Sequence, residues 1–197
     1  MKIVLASGSA RRREILASLG LTFEVCPSNV DEDVKTGTSP GDAVCELAIR
    51  KAAHVASTFP AALILGSDTV IDLDNEIVGK PQDAADARRI LEGLSGRAHL
   101  VHTGVAVIDS TNGRTEVGRS TTKIGFRRLS ASEIESYIGT GEPMDKAGAY
   151  AIQGRARDFI QLIDGDEDAV IGLPVGLVVD LLARFGLTTQ VPERHSA

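Results

Sequence analysis

The stretch 5–16, LASGSARRREIL, decides the fold because it joins a strand to a helix through a turn of small residues. The apolar run 3–6 predicts the strand, and Ser7-Gly8-Ser9 predicts the turn. Ser9 is the expected N-cap, since its hydroxyl can accept a hydrogen bond from a free amide of the first helical turn. Apolar residues then recur at helical spacing until Gly20. The pattern therefore predicts a strand–turn–helix unit.

The first turn of this helix carries an unusual charge. Arg11, Arg12 and Arg13 follow the N-cap closely, whereas the partial positive charge of a helix start favours acidic side chains. Three guanidinium groups are stabilised there if an anion lies among them, held by free amides and by bidentate arginine contacts. The alternative is a solvated basic turn beside Glu14. We favour a phosphate site, because glycine and serines accompany the arginines.

Length and composition narrow the class of protein. The 197 residues suit one domain, which we place at 1–187, followed by a polar tail at 188–197. A net charge of -6 and a pI of about 5.2 argue against a nucleic-acid polymer or a membrane surface as partner, because both require a basic face. Nothing resembles a signal peptide or a membrane-spanning run. The local basic residues point instead to a small anionic ligand.

Cysteine and histidine give no metal site. Cys26 and Cys45 lack the spacing of metal ligands, and we expect both to be reduced and buried. Reduced cysteines favour a cytoplasmic protein, because disulfides are rare in that compartment. His99 and His102 lie three residues apart in a predicted strand, so they face opposite ways and do not form a metal pair.

Strands and helices alternate along the chain, which predicts an α/β domain with a central mixed, elongated sheet flanked by helices. No G-x-G-x-x-G motif follows a strand, so a Rossmann fold is not expected. The predicted helices after the first are 39–57, 83–94, 130–138 and 174–185, and the expected N-caps of the first three of these are Ser39, Asp83 and Ser130. The predicted strands after the first are 23–26, 61–66, 98–109, 115–128 and 159–163, with a hairpin at 70–78. Asn112-Gly113 predicts a second hairpin, which joins 98–109 to 115–128 as an antiparallel pair.

Three charged residues stand at informative places in these elements. Lys51 lies near the edge of a buried helical stripe, where a lysine either keeps its ammonium in water or reaches inward to a phosphate. The strand 61–66 should deliver Asp68 at its carboxyl end, where ligands of α/β sheets gather. The alternative for Asp68 is a bond to neighbouring amides. Lys80 follows the hairpin, so it could share a pocket with Asp68.

Two irregular segments hold further candidates. Asp31, Glu32 and Asp33 form an acidic cluster, for which the residues alone favour a solvated loop. A Mg²⁺ ligand is the alternative, since this ion takes only one or two protein carboxylates. The tract 139–158 is long and irregular, which is typical of a functional segment. Gln153 could read a base there, because its amide offers both a donor and an acceptor, or it could satisfy loop backbone.

Seven motifs occur in a fixed order between Leu5 and about Pro174. They are LASGSARRREIL, the Asp31-Glu32 pair, LAIRKA, GSDTVI, GKPQD, GEPMDKAGAYAIQG and IGLP. Each alone is a weak signal, but together they resemble the Maf family of nucleoside triphosphate pyrophosphatases. The resemblance implies hydrolysis between the α- and β-phosphates with a divalent metal cation, Mg²⁺ or Mn²⁺. It also implies an inosine triphosphate pyrophosphatase-like α/β fold and a cytoplasmic house-cleaning role.

The resemblance also implies roles for individual residues. The family's catalytic aspartate corresponds to Asp68, and its acidic metal residue corresponds to Glu32. Its phosphate-contacting residues correspond to Ser7, Arg12, Lys51 and Lys80. Members that act on dTTP and UTP carry an arginine, a threonine and a glutamine at three specificity positions, which here are Arg11, Thr69 and Gln153.

The chain departs from the family pattern at three places. Ala10 stands where most members have proline, Ser67 where many have alanine, and Ala151 where many have glycine. None of these changes removes a charged or base-reading side chain.

We therefore expect an enzyme that hydrolyses dTTP and UTP, with modified pyrimidine triphosphates as further substrates to test. One alternative is a nucleotide-binding regulator of cell division or septum formation without significant turnover. Another is a pyrophosphatase for a different modified nucleotide. The expected partner is a nucleoside triphosphate, and the sequence leaves open whether the protein forms a homodimer.

Overall fold

A seven-stranded sheet forms the centre of the computed structural model, which describes residues 1–189. Its strands are β1 (Lys2–Leu5), β2 (Glu24–Val25), β3 (Ala62–Leu73), β4 (Glu76–Val78), β5 (Ala98–Asp109), β6 (Thr115–Phe126) and β7 (Ile160–Asp164). They lie in the order β2-β1-β3-β5-β6-β7, and β4 pairs with β3 outside this path. β1 runs parallel to β2 and β3, whereas the other pairs are antiparallel. The predicted α/β class with a mixed sheet is confirmed.

Six α-helices accompany the sheet within residues 1–189. They are α1 (Ala10–Ser18), α2 (Pro40–Ala56), α3 (Ala84–Leu94), α4 (Ala131–Ile138), α5 (Glu167–Ile171) and α6 (Val175–Ala183). The predicted N-caps of the first four helices are confirmed, since each cap side chain accepts a hydrogen bond from a first-turn amide; they are Ser9, Ser39, Asp83 and Ser130. The short α5 is not among the predicted elements, and Pro174 precedes α6 as its N-cap residue.

Helices cover both faces of the sheet, as the alternation of side chains along β3 requires. Leu63 and Leu65 pack in one apolar cluster with residues of α1 and α6. Ala62 and Ile64 point the other way and pack in a second cluster with α2. Both clusters consist of side chains that are almost completely buried. The central strand therefore carries alternate side chains to two different helical layers.

A third apolar cluster supports the far end of the sheet. It combines residues of α3 and α4 with aromatic side chains of the sheet and of the irregular tract. Four aromatic rings meet there in edge-to-face contacts with ring centroids 4.9–6.1 Å apart; they belong to Tyr137, Phe126, Tyr150 and Phe159. Three short 3-10 helices, at Glu142–Asp145, Ala147–Ala149 and Arg155–Phe159, lie over this cluster. The irregular tract is thus an ordered part of the fold.

The prediction that a strand ends before Asp68 is wrong. β3 continues to Leu73, because β5 pairs with it continuously from Leu63 to Asp72. The opposite edge of β3 pairs with β1 only at 62–65 and with β4 only at 71–73. Residues 66–70 therefore have no strand partner on that edge within the described chain. Asp68 lies in the middle of this open edge.

Three smaller expectations also need correction or limits. Cys26 and Cys45 are free but only partly buried, and β6 ends at Phe126 instead of residue 128. Most of the predicted tail, 190–197, lies outside the described residues. Over residues 1–189, no helix has the length and apolar character needed to cross a membrane.

Candidate active site

A cavity of about 960 Å³ lies at the open edge of β3. Small-molecule sites commonly enclose roughly 300–1,000 Å³, so this cavity has room for a nucleotide-sized ligand. Side chains from both faces of β3 border it, because no neighbouring strand separates them there. All nine residues singled out from the sequence line it: Ser7, Arg11, Arg12, Glu32, Lys51, Asp68, Thr69, Lys80 and Gln153.

The cavity is cationic although the chain is acidic. Five lysine and arginine side chains and three carboxylates line it, which leaves a surplus of two positive charges in a chain of net charge -6. A surplus of positive charge along a cavity raises the local concentration of negatively charged ligands. The cavity is therefore suited to an anion.

Lys51 forms the centre of the acidic part of this cavity. Its Nζ lies 2.5 Å from Asp68 Oδ1 and 2.6 Å from Glu32 Oε1. The Lys51 and Asp68 side chains are only 9% and 10% exposed, so the ammonium does not extend into water. A buried charge is tolerated when it is paired, and here one cation is shared by two carboxylates. The Lys51 ammonium therefore points into the cavity, and its contact with a phosphate stays a prediction.

Two glycines allow Lys51 to reach Asp68. A Cβ atom on Gly66 would lie 2.3 Å from the carbonyl oxygen of Ala48, and a Cβ on Gly104 would lie 2.3 Å from that of Val44. Both oxygens belong to α2, and Gly104 is the β5 residue paired with Asp68. The helix backbone therefore rests directly on the sheet beside the carboxylate.

Glu32 is an ionised carboxylate at neutral pH. Burial opposes its ionisation, but the hydrogen bond and charge of Lys51 outweigh burial and lower the pKa of Glu32 below its ordinary value. The charges of Lys80 and Arg12 act in the same direction. Of the acidic cluster 31–33, Glu32 is the member that lines the cavity.

Arg12 is bonded to the protein through all three of its nitrogens. Nε donates to the carbonyl of Gly172 at 2.9 Å, Nη1 to the carbonyl of Ser67 at 2.9 Å, and Nη2 to Thr69 Oγ1 at 3.2 Å. A longer contact of 3.4 Å joins Nη1 to Ser7 Oγ. Burial lowers the pKa of Arg12, and the charges of Asp68 and Glu32 oppose that shift. Arg12 thus connects α1, β3 and the turn before α6.

The hydroxyl of Ser67 strengthens the same connection. It is fully buried and donates to the carbonyl of Gly172 at 2.9 Å, so this oxygen accepts from both Ser67 and Arg12. An alanine at position 67 could not make this bond.

Thr69 takes part in a directed chain of hydrogen bonds. Thr103 Oγ1 donates to the carbonyl of Ala169 at 2.7 Å, so its oxygen accepts from Thr69 Oγ1 at 2.9 Å. The oxygen of Thr69 in turn accepts from Arg12. Because its hydrogen is used on Thr103, the Thr69 hydroxyl offers a ligand an acceptor and no donor.

The remaining predicted residues have free polar ends. Gln153 and Lys80 are exposed, and Arg11 is half-buried. None of the three makes a hydrogen bond or ion pair with another residue of the range 1–189. Arg11 does lie close enough to Asp145 for its charge to contribute to the lowered pKa of that carboxylate. These side chains are available to a ligand.

Several residues of the site are not among those predicted from the sequence. Thr103 is an ordinary strand threonine by pattern, and Gly172 belongs to a motif without a residue role. Asp145 and Lys146 form an ion pair at the cavity wall. Their charges within the irregular tract were the signal that could have marked them as part of the site.

The carboxylates of the cavity fit a hard divalent cation. No group of three or more His, Cys, Asp or Glu side chains converges within residues 1–189. Mg²⁺ needs only one or two protein carboxylates, however, and completes its shell with water and phosphate oxygens. Asp68 and Glu32 supply two, and Asp68 Oδ2 has no hydrogen-bond partner in that range. The donor set therefore fits Mg²⁺ or Mn²⁺.

Fold and cavity together define an α/β protein with a cationic cavity of nucleotide size. The chain belongs to the Maf family, since residues 2–185 match the family described as Maf-like protein. A relative from Pelotomaculum thermopropionicum is 46% identical over 94% of this chain and 97% of its own length. One from Moorella thermoacetica is 48% identical over 94% and 96%. Both are described as dTTP/UTP pyrophosphatase.

Two solved structures are more distantly similar. The Staphylococcus aureus Ham1 protein has a TM-score of 0.45 and 18% identity, over 64% of this chain and 72% of that one. A protein described as a nucleoside-triphosphatase / dITP/XTP pyrophosphatase from Mycobacterium abscessus has a TM-score of 0.44 and 19% identity, over 80% and 93%.

Proposed function

We propose that this protein hydrolyses dTTP and UTP to the nucleoside monophosphate and pyrophosphate. One observation carries the proposal: the Lys51–Asp68 pair and the basic start of α1 line one nucleotide-sized cavity. The near full-length relatives described as dTTP/UTP pyrophosphatase support the same substrates. The small-molecule partner is then a nucleoside triphosphate, and the cellular role is the cleaning of nucleotide pools.

The proposed reaction is attack by water on the α-phosphorus, with pyrophosphate as leaving group. Negative charge grows on the leaving group as the bond breaks, so nearby cations lower the barrier. Lys51 and Lys80 can contact phosphate oxygens directly. The donors of Arg12 are mostly used within the protein, so Arg12 contributes mainly through its charge and by fixing Ser67 and Thr69.

Asp68 is the residue we assign to activation of the water. Lys51 occupies Oδ1, which leaves Oδ2 free to orient a water molecule and accept its proton. Asp68 and Glu32 would also hold a divalent cation, Mg²⁺ or Mn²⁺. Such an ion would neutralise phosphate charge and acidify a bound water. A metal titration of Asp68→Asn separates the two roles, because loss of a metal ligand is offset by more metal and loss of a base is not.

Base selection is assigned to Gln153 and Arg11. Both have free polar ends at the cavity, and the two edges of the Gln153 amide complement the donor and acceptor of uracil or thymine. A cytosine presents the reverse pattern, which the amide matches only when it is turned over, so selection requires the amide to be held in one orientation. Thr69 can contribute to selection only as an acceptor, because its hydroxyl hydrogen is committed to Thr103.

A panel of triphosphates tests this function. Pyrophosphate release should be fastest with dTTP and UTP, require Mg²⁺ or Mn²⁺, and stop when a chelator is added. Binding of dTTP without pyrophosphate release under any of these conditions would instead favour a nucleotide-binding regulator of cell division. Preferred release from another nucleotide, modified or not, would contradict the dTTP/UTP assignment while leaving the reaction in place.

A further inference from the structure

Gln153 occupies the tip of a tight turn. The amide of Gly154 donates to the carbonyl of Ala151 at 3.0 Å, which closes the turn 151–154 with Gln153 in its third position. Ile152 is 5% exposed and packs in the aromatic cluster region, whereas Gln153 is exposed and lines the cavity. The turn therefore buries one side chain as an anchor and directs the next one to the ligand.

Two buried or half-buried groups hold the flanks of this turn. The amide of Ala151 donates to the hydroxyl oxygen of Tyr137 at 3.3 Å, and the amide of Arg155 donates to Glu142 Oε2 at 3.3 Å. The Tyr137 hydroxyl donates to Glu142 Oε1 at 2.9 Å, so the two supports are joined. The positions held are two residues before and two residues after Gln153.

The supports are themselves fixed in place. Tyr137 is 2% exposed, and its ring packs edge-to-face on Phe159 with centroids 5.2 Å apart. Burial and the hydrogen bond to Glu142 both raise the pKa of Tyr137, so its hydroxyl stays a donor. The Glu142 carboxylate lies directly against the turn, because a Cβ atom on Gly154 would be 1.9 Å from its Oε1.

We infer that Tyr137 and Glu142 are positioning residues for base selection, because they hold the turn that presents Gln153. This inference rests on the proposed role of Gln153. Neither side chain lines the cavity, so both act through the turn. Removing the Tyr137 hydroxyl releases Ala151 and leaves Glu142 held on one side only. The amide of Gln153 would then sample several positions, and the preference for one base edge would fall.

The test compares Tyr137→Phe and Glu142→Gln with the wild type. A matched control is Glu135→Gln, which removes a carboxylate from α4, the helix that carries Tyr137, where Glu135 pairs with Arg88 and not with the turn. We measure kcat/KM for dTTP relative to CTP, kcat at saturating dTTP, and hydrogen exchange of the 151 and 155 amides. Tyr137→Phe should lower the dTTP preference about tenfold, accelerate exchange at both amides and leave kcat within about twofold.

Gly154→Ala should disrupt the contact between Glu142 and the turn from the side of the turn, because its methyl group displaces the Glu142 carboxylate. It should reproduce the loss of dTTP preference. Unchanged preference in Tyr137→Phe despite accelerated exchange would overturn the inference, as would an equal loss in Glu135→Gln. A wild type without preference for dTTP, or Gln153→Ala with unaltered preference, would instead overturn the proposed role of Gln153 itself. The two failures are therefore distinguishable.

Discussion

The two ends of the cavity are built in opposite ways. At the proposed phosphate end, Arg12, Lys51 and Asp68 lie on α1, α2 and β3, and each is bonded to other protein groups. At the proposed base end, Gln153 lies in an irregular tract, and its amide has no partner within the described chain. Charged side chains that are buried must be paired with other protein groups before a ligand binds. A group that reads a base must stay unpaired, so its backbone needs separate support.

This contrast predicts that the phosphate end controls rate. Asp68→Asn should lower kcat by about 10²- to 10⁴-fold, because the amide cannot accept the proton of the attacking water. The fold should persist, since the amide oxygen can still accept from Lys51. The assay is pyrophosphate release at saturating dTTP and metal, with circular dichroism as the check on folding. Turnover close to that of the wild type would refute the role of Asp68.

The adjacent arginines should respond differently to the same substitution. Arg12→Lys should destabilise the protein by about 3 kcal/mol, because a lysine cannot reproduce bonds from three nitrogens to three segments. Arg11→Lys is the matched control and should leave stability unchanged, since Arg11 makes no such bonds. Urea unfolding of both variants measures the difference. Equal loss in the two variants would show that Arg12 is not the structural connection described above.

The aromatic cluster that contains Tyr150 should lose stability in acid. His99 Nε2 lies 2.7 Å from the Tyr150 hydroxyl, and burial lowers the pKa of His99 from 6.5 to about 4. Between these values the unfolded chain binds a proton that the folded chain does not, so stability falls as pH falls. From pH 7 to pH 5 this residue should account for about 2 kcal/mol of lost stability.

His99→Gln keeps a polar group near Tyr150 without a titration in this range, so the stability of this variant should depend less on pH. His54→Gln, at an exposed position of α2, is the control and should follow the wild type. Urea unfolding at pH 7, 6 and 5 makes the comparison. Parallel curves for wild type and His99→Gln would contradict the assignment.

Gln153→Ala should have the smallest effect. The side chain is exposed and unpaired, so stability should not change. Loss of its contacts with the base should raise the KM for dTTP and lower the preference over CTP by about tenfold, the value of one or two hydrogen bonds. Thermal unfolding and steady-state kinetics on dTTP, UTP, CTP and GTP are the measurements. Unaltered selectivity across the four would count against base reading by this residue.

The sequence predicted which helices and strands are present better than it predicted where they end. The N-caps and the antiparallel pair β5–β6 follow from local patterns, and the structure confirms them. The continuation of β3 through Asp68 does not, because polar residues interrupt the apolar run and only pairing with β5 carries the strand onward. The five-residue α5 is too short to show helical periodicity.

The same division holds for the site. The motifs singled out nine residues that line one cavity in the folded chain. They could not show which atoms of these residues are already bonded to other protein groups. The hydrogen bond from Arg12 to the carbonyl of Gly172, 160 positions away, depends on the folded chain and has no local sequence pattern. The link from Thr69 to Thr103 likewise depends on the register of β3 with β5. Tertiary partners, not residue types, decide which groups a ligand can reach.

The most direct measurement is ³¹P NMR of the products formed from dTTP with Mg²⁺, for the wild type and Asp68→Asn. The account predicts thymidine monophosphate and pyrophosphate in equal amounts from the wild type, and almost none of either from the variant. Formation of dTDP and inorganic phosphate would place the cleavage at a different bond, and no product with Mg²⁺ or Mn²⁺ would contradict an enzymatic role for this cavity.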